Sequence, residues 1–131
     1  MHSRAIEYDT EPTTADRTLG RAQSGRLYMV QQGSSEITIT LPAAIAGHLG
    51  VYFVFMLNSA GSADIIIDSG AANGIRGATF GAAIESIDNN LIKIVGGTAM
   101  AGDRIEVYCD GNIYWCTNWQ QADNSIVGAN S

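Results

Sequence analysis

The side chains that could do chemistry in this sequence are few. They are the acids Asp64, Asp68 and Glu85, the thiols Cys109 and Cys116, the imidazoles His2 and His48, and an aromatic group of Tyr108, Tyr114, Trp115 and Trp119. Asp64 and Asp68 share a parity on the short run DIIID, so a third carboxylate nearby would make a glycosidase acid–base pair or a calcium site. Acids that close a strand at both ends more commonly face water in turns. His48 follows an alanine-rich turn with no second ligand close in sequence, and the Cys109-x6-Cys116 spacing is not that of a zinc site. Gly70, Gly74 and Gly77 lack the lysine and the strand–helix setting of a phosphate loop. A nucleophilic cysteine needs a base beside it, and Cys109 lies within a strand-like run that reads as core. The expectation is a chain with no catalytic residues, no metal and no cofactor. The aromatic group could stack on sugar rings; aromatics at the end of a hairpin otherwise serve as core or as subunit contact.

The composition fits a protein that works by contact. Of 131 residues, 46% are hydrophobic and only 15% charged, against about 25% charged in an average soluble domain. This length allows one domain with a single core. Residues 1–26 carry Glu7, Asp9, Glu11 and Asp16 against Arg4, Arg17, Arg21 and Arg26, which cancel. The remainder carries nine acids against Arg76, Lys93 and Arg104, so the whole net charge of −6 sits on the body. Nucleic-acid binding requires a basic stripe that this body lacks. No run reaches 18 apolar residues, which argues against a membrane span. The start MHSRAIEYDTEP lacks the apolar core of a signal peptide, so synthesis in the cytoplasm is expected. Two buried free thiols fit that reducing setting.

The elements that must position these residues read as strands. Residues 26–31 (RLYMVQ) are β-rich and end at Gly33-Ser34-Ser35. Residues 36–41 (EITITL) alternate strictly, which places Ile37, Ile39 and Leu41 on one face. Pro42 ends that run, and residues 42–48 are expected to form a helical turn or two. Residues 50–58 (GVYFVFMLN) are apolar at both parities, as in a strand covered on both sides. Glycines at 70, 74, 77 and 81 mark residues 69–81 as a loop or irregular edge. Residues 91–95 resume strand character. Residues 104–109 and 113–117 form a hairpin about Asp110-Gly111, read as a two-residue primed turn. That turn puts Ile105, Val107 and Cys109 on one face with Tyr114 and Cys116, while Trp115 points to a second, covered face. The expected fold is all-β: a compact antiparallel β-sandwich or small barrel of about eight short strands. An extended N-terminal arm (residues 1–17) precedes the β domain (residues 18–119), and a C-terminal tail (residues 120–131) follows it. Arm and tail read as straps that order on a partner.

Three segments taken together carry a resemblance. They are TLGRAQSGRLY at residues 18–28, ITITLP followed by a small-residue turn and GVYFVF, and AGDRIEV at residues 101–107 ahead of the aromatic hairpin CDGNIYW. In this order they resemble the small β-rich virion proteins of tailed bacteriophages, in particular capsid decoration (cement) proteins, and similar modules of tail fibres and appendages. The resemblance spans residues 18–118 and rests on strand and turn grammar. It implies a structural protein on the virion capsid surface that binds the major capsid protein and itself, as a homotrimer, and stabilises the shell. The residues expected to touch capsid or neighbouring subunits are Arg4, Ile6, Tyr8, Arg17, Arg21, Trp119, Ile126 and Val127. The alternative is a fibre module that binds a host-surface glycan through Tyr114, Trp115 and Trp119.

Overall fold

A computed structural model describes residues 12–131 together with the backbone of Glu7–Tyr8. Twelve strands are present among the described residues: β1 (Glu7–Tyr8), β2 (Arg17–Thr18), β3 (Arg26–Gln31), β4 (Ile37–Thr40), β5 (Tyr52–Ser59), β6 (Ile65–Asp68), β7 (Ile75–Gly81), β8 (Glu85–Asn89), β9 (Leu91–Ile94), β10 (Arg104–Cys109), β11 (Tyr114–Gln120) and β12 (Ile126–Ala129). They form two packed sheets, one of seven strands in the order β1-β3-β5-β10-β11-β7-β8 and one of five in the order β12-β9-β6-β4-β2. The architecture is an all-β sandwich and not a closed barrel. The helical turn expected after Pro42 is a single 3₁₀ turn at Ala46–His48.

The sheets are mixed, which corrects the antiparallel expectation. From β1 to β7 successive strands alternate between the two layers. As a result β1, β3 and β5 lie side by side and parallel, as do β2, β4 and β6. A parallel pair needs a crossover connection, and here each crossover is a strand of the opposite layer. The antiparallel contacts come later: β10 pairs antiparallel with β5 and β11, β8 with β7, and β9 with β6 and β12, while β11 runs parallel to β7.

The inward faces supply the core. Ile37, Ile39, Ile65, Ile67, Ile92 and Ile94 of the smaller sheet meet Tyr28, Val30, Phe53, Phe55, Leu57, Ile105, Val107 and Tyr114 of the larger. Tyr28 stacks on Phe55 with ring centroids 5.7 Å apart. Side chains of this size each contribute roughly 1.5–3 kcal/mol on burial. Buried polar groups hold the layers in register: Gln32 Nε2 donates to Ile94 O at 3.1 Å, while Gln32 Oε1 accepts from Gly61 N at 3.0 Å.

Residues 75–81, expected as loop, form the strand β7, parallel to β11. Glycine is required here because the two backbones approach closely. A Cβ at Gly77 would overlap the carbonyl oxygen of Cys116, and one at Gly81 that of Gln120. Both glycines also hold positive φ, 145° and 115°. Gly77 and Gly81 thus mark a tight strand pairing, while Gly70 and Gly74 lie in the expected loop, where Gly74 N donates to Ala71 O.

The described parts of both ends pair with their own chain. Thr13 exchanges backbone hydrogen bonds with Met29 and Gln31 along the outer edge of β3. β2 runs along β4, Leu19 N donates to Thr40 O, and the Asp16 carboxylate takes the Thr38 N–H at 2.8 Å. Residues 13–19 therefore seal two sheet edges that would otherwise offer free backbone donors and acceptors. At the other terminus β12 pairs with β9, and Ile126 enters the core.

Candidate functional site: an exposed aromatic face

Tyr108, Trp115, Trp119 and Phe80 are 42%, 46%, 48% and 39% exposed, and all four project from the outer face of the seven-stranded sheet. Strand alternation puts them there. On β10 the inward residues are Ile105, Val107 and Cys109, so Arg104, Glu106 and Tyr108 face out. On β11 the inward residues are Tyr114, Cys116, Asn118 and Gln120, so Trp115, Thr117 and Trp119 face out.

The register arranges these side chains in rows across the strands. One row runs Tyr52, Tyr108, Trp115, Arg76, Asp88. The next runs Leu27, Val54, Glu106, Thr117, Ala78, Ser86. The third runs Met29, Met56, Arg104, Trp119, Phe80. Tyr52 and Tyr108 stack with centroids 5.8 Å apart and planes at 24°. The two outer rows stand high with aromatic rings, methionines and arginines. Over β11, β7 and β8 the middle row holds only Thr117, Ala78 and Ser86. Over β3, β5 and β10 the same row carries Leu27, Val54 and Glu106, so only its β11–β8 part is low.

Its polar groups are already engaged with one another. Tyr108 OH donates to Glu106 Oε1 at 2.8 Å, and Arg76 Nε donates to Asp88 Oδ1 at 3.2 Å. Arg104 Nε stands 3.3 Å from Glu106 Oε2 as an ion pair, at an angle that leaves this nitrogen without a hydrogen bond. Burial, then the bond to Glu106, push the Tyr108 phenol above its ordinary pKa of 10.0.

The hairpin loop that carries Trp115 has four residues, 110–113, and not two. Asp110 Oδ1 accepts the N–H groups of Asn112 and Ile113, both at 2.8 Å, and Gly111 takes φ of 91°. The Asp110 side chain closes the turn together with a backbone hydrogen bond from Asp110 N to Ile113 O at 3.1 Å. Those N–H bonds, Ile113 first, and the Trp115 indole hold the Asp110 carboxyl below its ordinary 3.8.

The residues singled out in the sequence are dispersed. Arg4 and Ile6 lie outside the described residues, and Tyr8 is placed only by its backbone in β1. Arg17 spreads over the Tyr28 ring at 4.9 Å. Arg21 begins an exposed 3₁₀ turn. Trp119 belongs to the aromatic face. Ile126 is buried in the core, and Val127 is half-buried opposite Lys93 on the outer side of the smaller sheet. Tyr114 is fully buried, its hydroxyl donating to Pro42 O at 2.7 Å, so it cannot share a surface with Trp115. Tyr52 and Phe80 were missed as members of the face, because only cross-strand register brings them there.

The groups weighed for chemistry stand apart. Asp64 Oδ1 accepts from Gly96 N and Asp68 Oδ1 from Gly70 N, each at 2.8 Å, so both shape turns. His48 Nδ1 donates to Ala43 O at 2.6 Å. Cys109 and Cys116 are free and buried, and burial pushes the Cys116 thiol up to about 11. Among the described residues no three His, Cys, Asp or Glu side chains gather as a metal-binding group, and no helix is long and apolar enough to cross a membrane. Comparison with protein-family models, with curated proteins and with solved structures gives no match for this chain.

Proposed function

We propose that this chain is a structural protein of a bacteriophage virion, decorating and stabilising the capsid exterior by binding the major capsid protein as an oligomer. It acts through buried surface and catalyses nothing. The virion setting rests on the three segments that resemble decoration proteins. The docking mode rests on one observation, the exposed aromatic face of the seven-stranded sheet. Protein interfaces are enriched in Trp, Tyr, Phe, Met and Arg and depleted of Lys. This face carries Trp115, Trp119, Tyr52, Tyr108, Phe80, Met29, Met56, Arg76 and Arg104, and no lysine. Four half-exposed aromatics leave on the order of 350 Å² of ring surface in water, as much as the whole of an ordinary monomer's largest apolar patch. Because its polar groups are mutually paired, covering the face strands few of them.

Copy number in purified virions, measured by quantitative mass spectrometry, tests this reading. Hundreds of copies per particle support shell decoration, whereas a few tens or fewer make the chain a tail or fibre part. A second reading is favoured by the exposure of Trp115 and Trp119: the face stacks on a host-surface glycan. Binding of the purified chain on a glycan array would establish that alternative.

A further inference from the structure

We propose that Asn73 is a self-modifying site. The backbone nitrogen of Gly74 displaces its side-chain amide, and water then opens the resulting imide to aspartate or isoaspartate. This is independent of how the aromatic face is read.

The sequence supplies the pair and the fold leaves it open. Of the eight asparagines, Asn73 alone precedes a glycine, so no Cβ shields the following nitrogen from the side-chain carbonyl carbon. Asn73 is exposed in the loop between β6 and β7 and holds a left-handed φ of 51°. It borders a cleft of about 500 Å³ lined also by Ala72, Asn90, Asn130 and Ser131, which admits water to the amide. Several other asparagine amides are tied down. Asn90 grips Ser131 through both amide atoms, Asn130 Oδ1 accepts from Asn90 N, and Asn118 Nδ2 donates to Thr79 Oγ1. Among the described residues no hydrogen bond engages the Asn73 side chain.

A related pair, Asp110-Gly111, is closed to the same reaction. The Asp110 carboxylate accepts from Asn112 N, Ile113 N and Trp115 Nε1, and these three bonds pin it away from the following nitrogen.

The step balances with water as the only co-reactant. Gly74 N gives up its proton and bonds to Asn73 Cγ. The Cγ–Nδ2 bond breaks, and Nδ2 leaves as ammonia carrying that proton. Water then cleaves either bond from the ring nitrogen to a carbonyl carbon. Cleavage at Cγ gives aspartate. Cleavage at the main-chain carbon of residue 73 gives isoaspartate, with the backbone now running through Cγ.

The fold sets the pace and the consequence. Gly74 N donates to Ala71 O at 3.0 Å, so this turn must open before the nitrogen can attack, and the folded chain reacts more slowly than an unfolded one. Glycine is nonetheless required at 74, since a Cβ there would overlap Ser69 Oγ and crowd Ala71 O. Either product adds one negative charge to the net −6. Isoaspartate also lengthens the backbone beside Gly74, whose oxygen accepts from Tyr114 N at 2.9 Å at the head of the β7–β11 pair.

Incubation of the native full chain in heavy-oxygen water at neutral and mildly alkaline pH, followed by peptide mapping with mass spectrometry, tests the inference. One heavy oxygen is expected at residue 73 before any other asparagine reacts, sooner at the higher pH and sooner again in denaturant. Anion exchange should resolve a second form with one further negative charge. Asn73→Gly suits the positive φ and lacks the amide, so its second form should be absent. Asn73→Asp should elute with the aspartate product. Three results each overturn the inference: residue 73 still unlabelled when the denatured chain is labelled there, another asparagine reacting first, or the second form persisting in Asn73→Gly.

Discussion

The indole nitrogen of Trp115 donates to Asp110 Oδ2 at 2.7 Å, while the other oxygen of that carboxylate closes the β10–β11 turn. One side chain therefore fixes both the loop of the hairpin and the orientation of a ring on the exposed face. Turn chemistry and docking surface are coupled at this point.

The coupling makes the Trp115 environment sensitive to acid. The folded Asp110 carboxyl titrates below its ordinary 3.8, so its contribution is present above 3.8 and is lost as pH falls through the depressed value. Tryptophan fluorescence should change on acidification below 3.8 in the wild type. In Asp110→Asn, which cannot ionise and offers one acceptor oxygen where the carboxylate uses two, the part of that change due to Asp110 protonation should vanish. Identical acid profiles for the two proteins would refute the link.

Gly77→Ala should be among the most damaging single substitutions. The new Cβ meets the Cys116 carbonyl oxygen, and φ of 145° suits glycine alone. The cost should be about 2–4 kcal/mol by urea unfolding, combining backbone strain with overpacking. Gly47→Ala is the control. Nothing lies within 4 Å of a Cβ there, and the change should stay within about 0.5 kcal/mol.

How much of this could be read from the sequence follows from which forces are local. Alternation at Ile37, Ile39 and Leu41 reports one buried face directly, so the all-β sandwich and the core side of β4 were legible. The odd positions of β11 place Trp115, Thr117 and Trp119 together by the same rule. Strand β7 was hidden because glycine signals a turn in isolation, and only the neighbouring Cys116 and Gln120 carbonyls reveal why it is needed. The parallel pairs were hidden for a similar reason, since alternation between layers leaves no mark on either strand. Phe80 and Tyr52 join the face through register across four strands, which no local pattern encodes.

Deleting residues 1–17 should destabilise the domain as well as remove any contact made by the arm. The deletion strips Thr13 from the edge of β3, and Asp16 and Arg17 from that of β4, leaving two open edges prone to aggregation. Leu19→Ala, at a core site 1% exposed, keeps the backbone edge bonds and serves as the packing comparison, with a cost of about 3 kcal/mol. Size-exclusion chromatography and urea unfolding measure both. A soluble, equally stable deletion protein would contradict the edge-sealing role.

Neither cysteine should react with a thiol reagent in the native protein. Cys109 and Cys116 are buried, and the Cys116 thiol is pushed up to about 11, so the reactive thiolate is scarce at neutral pH. A colorimetric thiol assay should find no fast-reacting group in the native state and two after denaturation. A fast native reaction would place a thiol at the surface.

Co-sedimentation with capsids lacking this protein, comparing wild type with the double variant Trp115→Asp and Trp119→Asp, tests the central claim most directly. Wild type should bind saturably. The double variant should fold with the same circular dichroism and lose at least about a hundredfold in apparent affinity, through the lost face. A folded double variant that binds capsids as tightly as wild type would contradict the account.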